Sequence, residues 1–222
     1  MGLSLYRRHF IALALAGAGV GASWPAFAAG TTTASAAKQT ILVMGDSLSA
    51  EYGLKRGTGW VALLEDRLKA EQRNVVVVNA SISGDTTSGG RSRLNVLLTQ
   101  HRPSHVIIEL GGNDALRGLP LSLTEDNLTQ MTRAAQQAGA KVLLVGMQVP
   151  PNYGRDYAER FATLFATVAK ANKAALVPFL LAGVGDGPDP TKMFQADRIH
   201  PKEEAHPIML GNVWPSLRKL LQ

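Results

Sequence analysis

Five short aliphatic blocks punctuate the chain, and each of them runs into a residue that ends a strand. The block at 41–44 meets Gly45, that at 75–78 meets Asn79, and that at 142–145 meets Gly146. The block at 106–108 leads through Leu110 to Gly111, and a weaker fifth, 174–177, stops at Pro178. Alternating apolar and polar positions would mark a sheet with one wet face. Unbroken runs instead fit strands covered on both faces, as in a parallel sheet. Between the blocks the spacing changes to three and four. Trp60, Leu63, Leu64 and Leu68 share one face, with Glu65, Asp66, Arg67 and Lys69 between them, which predicts an amphipathic helix. Residues 95–100, 128–137 and 158–173 read the same way, and Gly139 reads as a helix stop. A last helix is predicted to open with Pro201 in its first turn, where Glu203 and Glu204 favour a helix N-terminus. Strands alternating with helices predict one three-layer α/β/α domain, flavodoxin-like in strand order, with about five parallel strands and right-handed crossovers. Trp60, Trp214 and the leucines around them read as its core.

Residues 1–28 fall outside this pattern. Arg7 and Arg8 precede an apolar run at 10–20, and Ala26-Phe27-Ala28 offers a small-residue cleavage site, the layout of a secretory signal. The run is short for a bilayer span, so an uncleaved anchor is the alternative reading. Arg7-Arg8-His9-Phe10-Ile11 also fits a twin-arginine signal, although Tyr6 stands where Ser or Thr is usual. The Gly, Thr, Ser and Ala of 29–38 read as a flexible lead-in, leaving a domain at 39–222 and a periplasmic or secreted protein.

Composition narrows the chemistry. The chain of 222 residues has 45% hydrophobic and 18% charged positions, which suits a globular domain with its own core. Residues 1–28 hold no acidic residue, so loss of Arg7 and Arg8 lowers the formal charge of +6 by two, to +4. That balance weakly favours anionic surfaces or acyl substrates with anionic heads. No basic stripe interleaved with aromatics is present, which argues against nucleic-acid binding. The absence of cysteine excludes disulfides and thiolate chemistry. No histidine–carboxylate cluster has ligand spacing, so neither a metal nor another cofactor is expected.

In open parallel sheets the reactive groups gather beyond the carboxyl ends of the strands. Four segments there carry unusual residues: Gly45-Asp46-Ser47-Leu48-Ser49, Ser81-Ile82-Ser83-Gly84-Asp85-Thr86, Gly111-Gly112-Asn113-Asp114, and Asp197-Arg198-Ile199-His200-Pro201. A serine hydroxyl becomes a nucleophile when a histidine takes its proton. The histidine needs an acid on its other nitrogen, and Asp197 lies one turn before His200. Candidate donors for a tetrahedral oxyanion are the N–H of Gly84, the Asn113 amide and the N–H of Ser47 at a predicted helix start. Asp46, Asp85 and Asp114 read as loop braces. Among the other histidines, His9 lies in the leader, His101 and His105 flank Pro103 at the opposite sheet edge, and His206 lacks an acid at the right spacing. The stretch at 183–187 reads as a loop, since no Lys-Ser/Thr follows to make a phosphate cradle.

Taken in order, these four segments resemble the blocks of the SGNH (GDSL-type) hydrolases. The longer stretches 79–86 and 109–114 are similar to the lysophospholipase L1/thioesterase I/arylesterase branch, and the likeness spans about residues 40–215. The resemblance implies that Ser47 is the nucleophile, that Asp197 and His200 complete the triad, and that Ser47, Gly84 and Asn113 form the oxyanion hole. It implies a serine esterase acting on small-molecule esters, thioesters or lipids: aryl esters, short to medium acyl chains and lysophospholipids. Lys202 replaces the Asn common after His-Pro in that branch, which bears on substrate preference more than on the reaction. No Gly-x-Ser-x-Gly elbow is present, against an α/β-hydrolase fold. Leu116, Leu119, Leu121, Met147, Val149, Pro150, Pro151 and Tyr153 follow the third and fourth strands and are candidates for an acyl-chain groove, with local packing as the alternative. A carbohydrate O-acetylesterase, and a non-catalytic binding module on the same fold, are the other readings. A monomer with no obligatory membrane span after cleavage is expected.

Overall fold

The computed structural model describes residues 38–222 except 187, 188 and 190. The expected leader and almost all of the lead-in lie outside the described residues. Five parallel strands, β1 (Gln39–Gly45), β2 (Val75–Asn79), β3 (His105–Glu109), β4 (Lys141–Val145) and β5 (Ala175–Val177), form one sheet in the order β2-β1-β3-β4-β5. This is the flavodoxin-like order expected. Six helices connect and flank them: α1 (Trp60–Ala70), α2 (Thr87–His101), α3 (Gly112–Leu116), α4 (Leu121–Gln137), α5 (Arg155–Ala171) and α6 (His206–Leu220). Helix α1 packs with α6, whereas α2, α4 and α5 pack in series. Right-handed crossovers put the first pair on one face of the sheet and the other three on the opposite face.

Burial follows the aliphatic runs. All of β3 and the last five residues of β1 are buried, while edge strand β2 stays half-buried. Ile41, Leu42, Ile107, Leu143 and Leu144 are fully covered by the two helix layers, together with Trp60, Phe161 and Phe165. Burial of one such side chain contributes about 1.5–3 kcal/mol, so the sheet interior is the main source of stability. The register sets Gly45 of β1 opposite Glu109 of β3, which brings the segments after these two strands side by side.

Four sequence expectations need correction. Helix α4 starts at Leu121 rather than at 128, since the polar run at 124–127 hides the apolar period of its first turns. Ser47 does not begin a helix: residues 47–53 form successive turns, with the N–H of Ala50 donating to the Asp46 carbonyl at 2.9 Å. Helix α2 starts at Thr87 rather than near 95, because Gly89 and Gly90 dilute the apolar period while the Thr86 hydroxyl caps the turn by accepting from the Gly89 N–H. Gly90 is required there, since a Cβ would lie 2.3 Å from the Leu110 side chain. The short helix α3 carried no periodic signal. The last helix begins at His206, not at Pro201. Pro201 is held in an antiparallel bridge with Phe194, and the N–H of Lys202 donates to the Met193 carbonyl, so the chain stays extended until a 3₁₀ turn at Glu203–Ala205. Pro207 then takes the early helix position that tolerates a missing N–H.

Candidate active site

The segments that follow β1, β2 and β3 meet a fourth, late segment at the carboxyl edge of the sheet. Ser47 follows β1 by two residues. The turn is tight because Gly45 has no side chain: a Cβ there would lie 2.7 Å from Ser49 and 2.8 Å from the Ser81 hydroxyl. The Ser47 hydroxyl stands 2.9 Å from Nε2 of His200. On the other side of the ring, Nδ1 lies 2.6 Å from the Asp197 carboxylate. Asp197 also accepts the backbone N–H groups of Ile199 and His200, each at 3.0 Å. These bonds, with His200 foremost, hold the Asp197 carboxyl down at about 2. Its oxygens are therefore acceptors, so Nδ1 of His200 carries the hydrogen and Nε2 is free to accept from the Ser47 hydroxyl.

The late segment reaches Ser47 through a small excursion of the chain. Phe194 and Pro201 bridge at its base, the N–H of Gln195 donates to the His200 carbonyl at 2.8 Å, and Arg198 at its tip has a φ of 57°. Gln195 fastens it to the nucleophile segment, its amide donating to the carbonyls of Tyr52 and Pro201 at 3.0 Å. Gly53 leaves room for this, since a Cβ there would lie 2.2 Å from Oε1 of Gln195. The Tyr52 ring packs on His200 with centroids 4.2 Å apart. No sequence spacing pointed to Gln195 or Tyr52, because both act through contacts far apart in the chain.

Gly84 sits at a φ of 78°, which favours glycine, and its carbonyl accepts from Arg117 at 2.7 Å. Asn113, in the first turn of α3, donates its amide to Oδ2 of Asp46 at 2.9 Å. The braces expected at Asp46, Asp85 and Asp114 are in place: Asp46 accepts from the Leu48 N–H, Asp85 pairs with Arg93, and Asp114 holds Thr87. His105 and His206 lie elsewhere. The first faces the Leu220 carbonyl, the second accepts the Trp60 N–H, and burial lowers both below the ordinary histidine value. Of the groove candidates, Leu116 is exposed beside Asn113, Leu119 is half-buried, Pro150 is exposed, and Tyr153 stacks on Tyr157. Met147 and Leu121 are buried in the core, and Val149 packs against it. Among the described residues, no group of three His, Asp or Glu suits a metal ion, and no helix is long and apolar enough to cross a membrane.

A serine, histidine and aspartate in hydrogen-bonded series, set at the carboxyl edge of a 2-1-3-4-5 sheet, is the arrangement of a hydrolase that works through serine. The chain belongs to the GDSL-like lipase/acylhydrolase family, which its residues 43–208 match. It is 53% identical over 189 residues to esterase TesA of Pseudomonas aeruginosa, covering 85% of this chain and 92% of that protein. It is 43% identical over 190 residues to thioesterase 1/protease 1/lysophospholipase L1 of Escherichia coli K12, covering 86% of this chain and 88% of that one. The crystal structure of a TesA superposes with a TM-score of 0.79 at 53% identity, covering 82% of this chain and 99% of the other.

Proposed function

We propose that this protein is a serine esterase that cleaves carboxylic esters and thioesters through an acyl-enzyme on Ser47. The observation that carries the reading is the unbroken series from Ser47 through His200 to Asp197, at 2.9 and 2.6 Å. Nε2 of His200 takes the hydroxyl proton as Ser47 attacks the carbonyl carbon. Asp197 stays ionised, keeps the ring in the reactive tautomer and faces the imidazolium that forms. The N–H groups of Ser47 and Gly84 and the Asn113 amide donate to the developing oxyanion. His200 then protonates the leaving alkoxide or thiolate. In the second half it removes a proton from water, and the hydroxide releases the acid.

The names of the related esterase, arylesterase and thioesterase/lysophospholipase, with the exposed Leu116 one turn after Asn113, support aryl esters, short to medium acyl esters and lysophospholipids as its substrates. The charged start, apolar run and Ala-Phe-Ala of residues 1–28 support export to the periplasm or beyond.

Hydrolysis of p-nitrophenyl esters from acetate to palmitate, by wild type and Ser47→Ala, tests the reading. We expect the variant to keep its circular dichroism spectrum while losing at least about a thousandfold in kcat. A wild type inactive on every chain length would overturn it.

A further inference from the structure

Beneath Ser47 lie two carboxyl groups that the hydrolytic steps leave unused. Glu109 ends β3 and is fully buried. Its Oε2 accepts the Ser49 hydroxyl at 2.7 Å and, at 3.4 Å, the Asp46 N–H. Its Oε1 is buried and meets no partner among the described residues. Asp46, the residue before Ser47, is also buried, yet both its oxygens are held. Oδ1 accepts the Leu48 N–H at 3.0 Å, and Oδ2 accepts the Asn113 amide at 2.9 Å. A buried carboxylate needs donors on both oxygens to offset the hydration it has lost. Asp46 has them; Glu109 does not. Two adjacent buried carboxyls also resist ionising together, because like charges repel strongly where water is excluded.

We propose that Asp46 and Glu109 form a positioning pair with a single charge, in which Glu109 keeps the proton and ionised Asp46 orients the Asn113 amide toward the oxyanion. The proposal rests on the reading of Ser47 as nucleophile. A carboxamide presents a donor at one end and an acceptor at the other, and turning it over would aim an oxygen at the oxyanion. An ionised carboxylate only accepts, so Asp46 selects the NH₂ end of Asn113. The second N–H of that group is left for substrate. A protonated Asp46 loses this selectivity.

The groups around the pair agree with this division. Ser49 donates to Glu109 and accepts from the Trp60 indole N–H at 3.2 Å, so its one proton is committed to Glu109. Asp85, from the segment after β2, is paired with Arg93 of α2 at 2.8 Å. His200, from the late segment, is the cation-forming group whose charge favours ionised Asp46, and Asp85 opposes it. Burial, joined by the Asp46 charge, pushes Glu109 well above the usual carboxyl range. Burial also raises Asp46, to about 6, against the bonds from Leu48 and Asn113.

The test uses p-nitrophenyl butyrate kinetics beside infrared difference spectra at neutral pH. We expect Asp46→Asn to lower kcat about 30-fold with KM unchanged, a part of the loss that follows complete removal of an oxyanion donor. The Asp46→Asn/Asn113→Ala double variant should be no slower than Asn113→Ala alone, because Asp46 acts through Asn113. Glu109→Gln, a neutral isostere, should cost no more than about threefold in kcat and should abolish a protonated-carboxyl band seen in wild type. Losses at positions 46 and 113 that multiply would overturn the positioning role. Absence of a protonated-carboxyl band that depends on Glu109 would overturn the proton assignment, even if Asp46→Asn failed to fold. An inactive wild type would sink the esterase reading instead, and the infrared band would still report where the proton sits.

Discussion

Asp197 and Asp46 both serve the Ser47 site, from opposite environments. Asp197 lies in an exposed segment, accepts three hydrogen bonds, and is held down at about 2. Asp46 is buried, accepts from a backbone N–H and an amide, and still rises to about 6. Hydrogen bonds decide the ionisation of the first because water already supports its charge. Desolvation decides that of the second because no water does. The exposed acid is thus a dependable anion for histidine, whereas the buried acid stays charged only with the help of its neighbours.

Several changes would break or sharpen this contrast. The largest effect should come from Asp197→Asn, which presents an amide to Nδ1 and favours the wrong tautomer of His200. We expect kcat to fall about 10⁴-fold, with a modest drop in melting temperature at neutral pH because the contribution of the ionised carboxyl is lost too, measured by ester hydrolysis and thermal denaturation. Asn113→Ala should cost about 10²–10³ in kcat through loss of one oxyanion donor. It should also raise the Asp46 carboxyl further, since one of the two bonds that lower it disappears; nuclear magnetic resonance titration of that carboxyl would show the change.

The smallest effect is on stability, and its sign differs between the two acids. Asp197, depressed in the fold, contributes stability that is present above about pH 4 and lost as pH falls toward about 2. Asp46, raised in the fold, carries a penalty that is present above about pH 6 and relieved as pH falls toward about 4. From pH 6 to 4 wild type should therefore gain on the order of 2 kcal/mol from Asp46, a gain absent from Asp46→Asn in denaturant titrations. Catalysis should move the other way over the same interval, as Asp46 loses the charge that orients Asn113.

The sheet was readable from the chain because each central strand is a continuous aliphatic run closed by a breaker, and burial on both faces leaves no alternative use for it. Helices α1 and α5 were readable from their apolar spacing. The apolar period of α2 fades over its first turn because Gly90 there serves close packing against Leu110 rather than helix propensity. Pro201 satisfies the local rule for a helix opening, yet a bridge to Phe194 holds it extended and α6 opens only at His206. Ser47, Asp197 and His200 stood out because their chemistry requires one another and the topology brings their segments to one edge. Glu109, Gln195 and Tyr52 did not, since each acts through a contact that only folding creates.

Residue pattern alone therefore dictated the strand–helix alternation, the carboxyl edge as the place for chemistry, and the residue types able to activate a serine, all of which depend on local hydrophobicity and intrinsic reactivity. Tertiary structure decided the hydrogen-bonded series on His200, the grip of Asp46 on Asn113, and the isolation of Glu109 from water. These depend on distance and on loss of hydration, and both arise only when segments remote in the chain pack together.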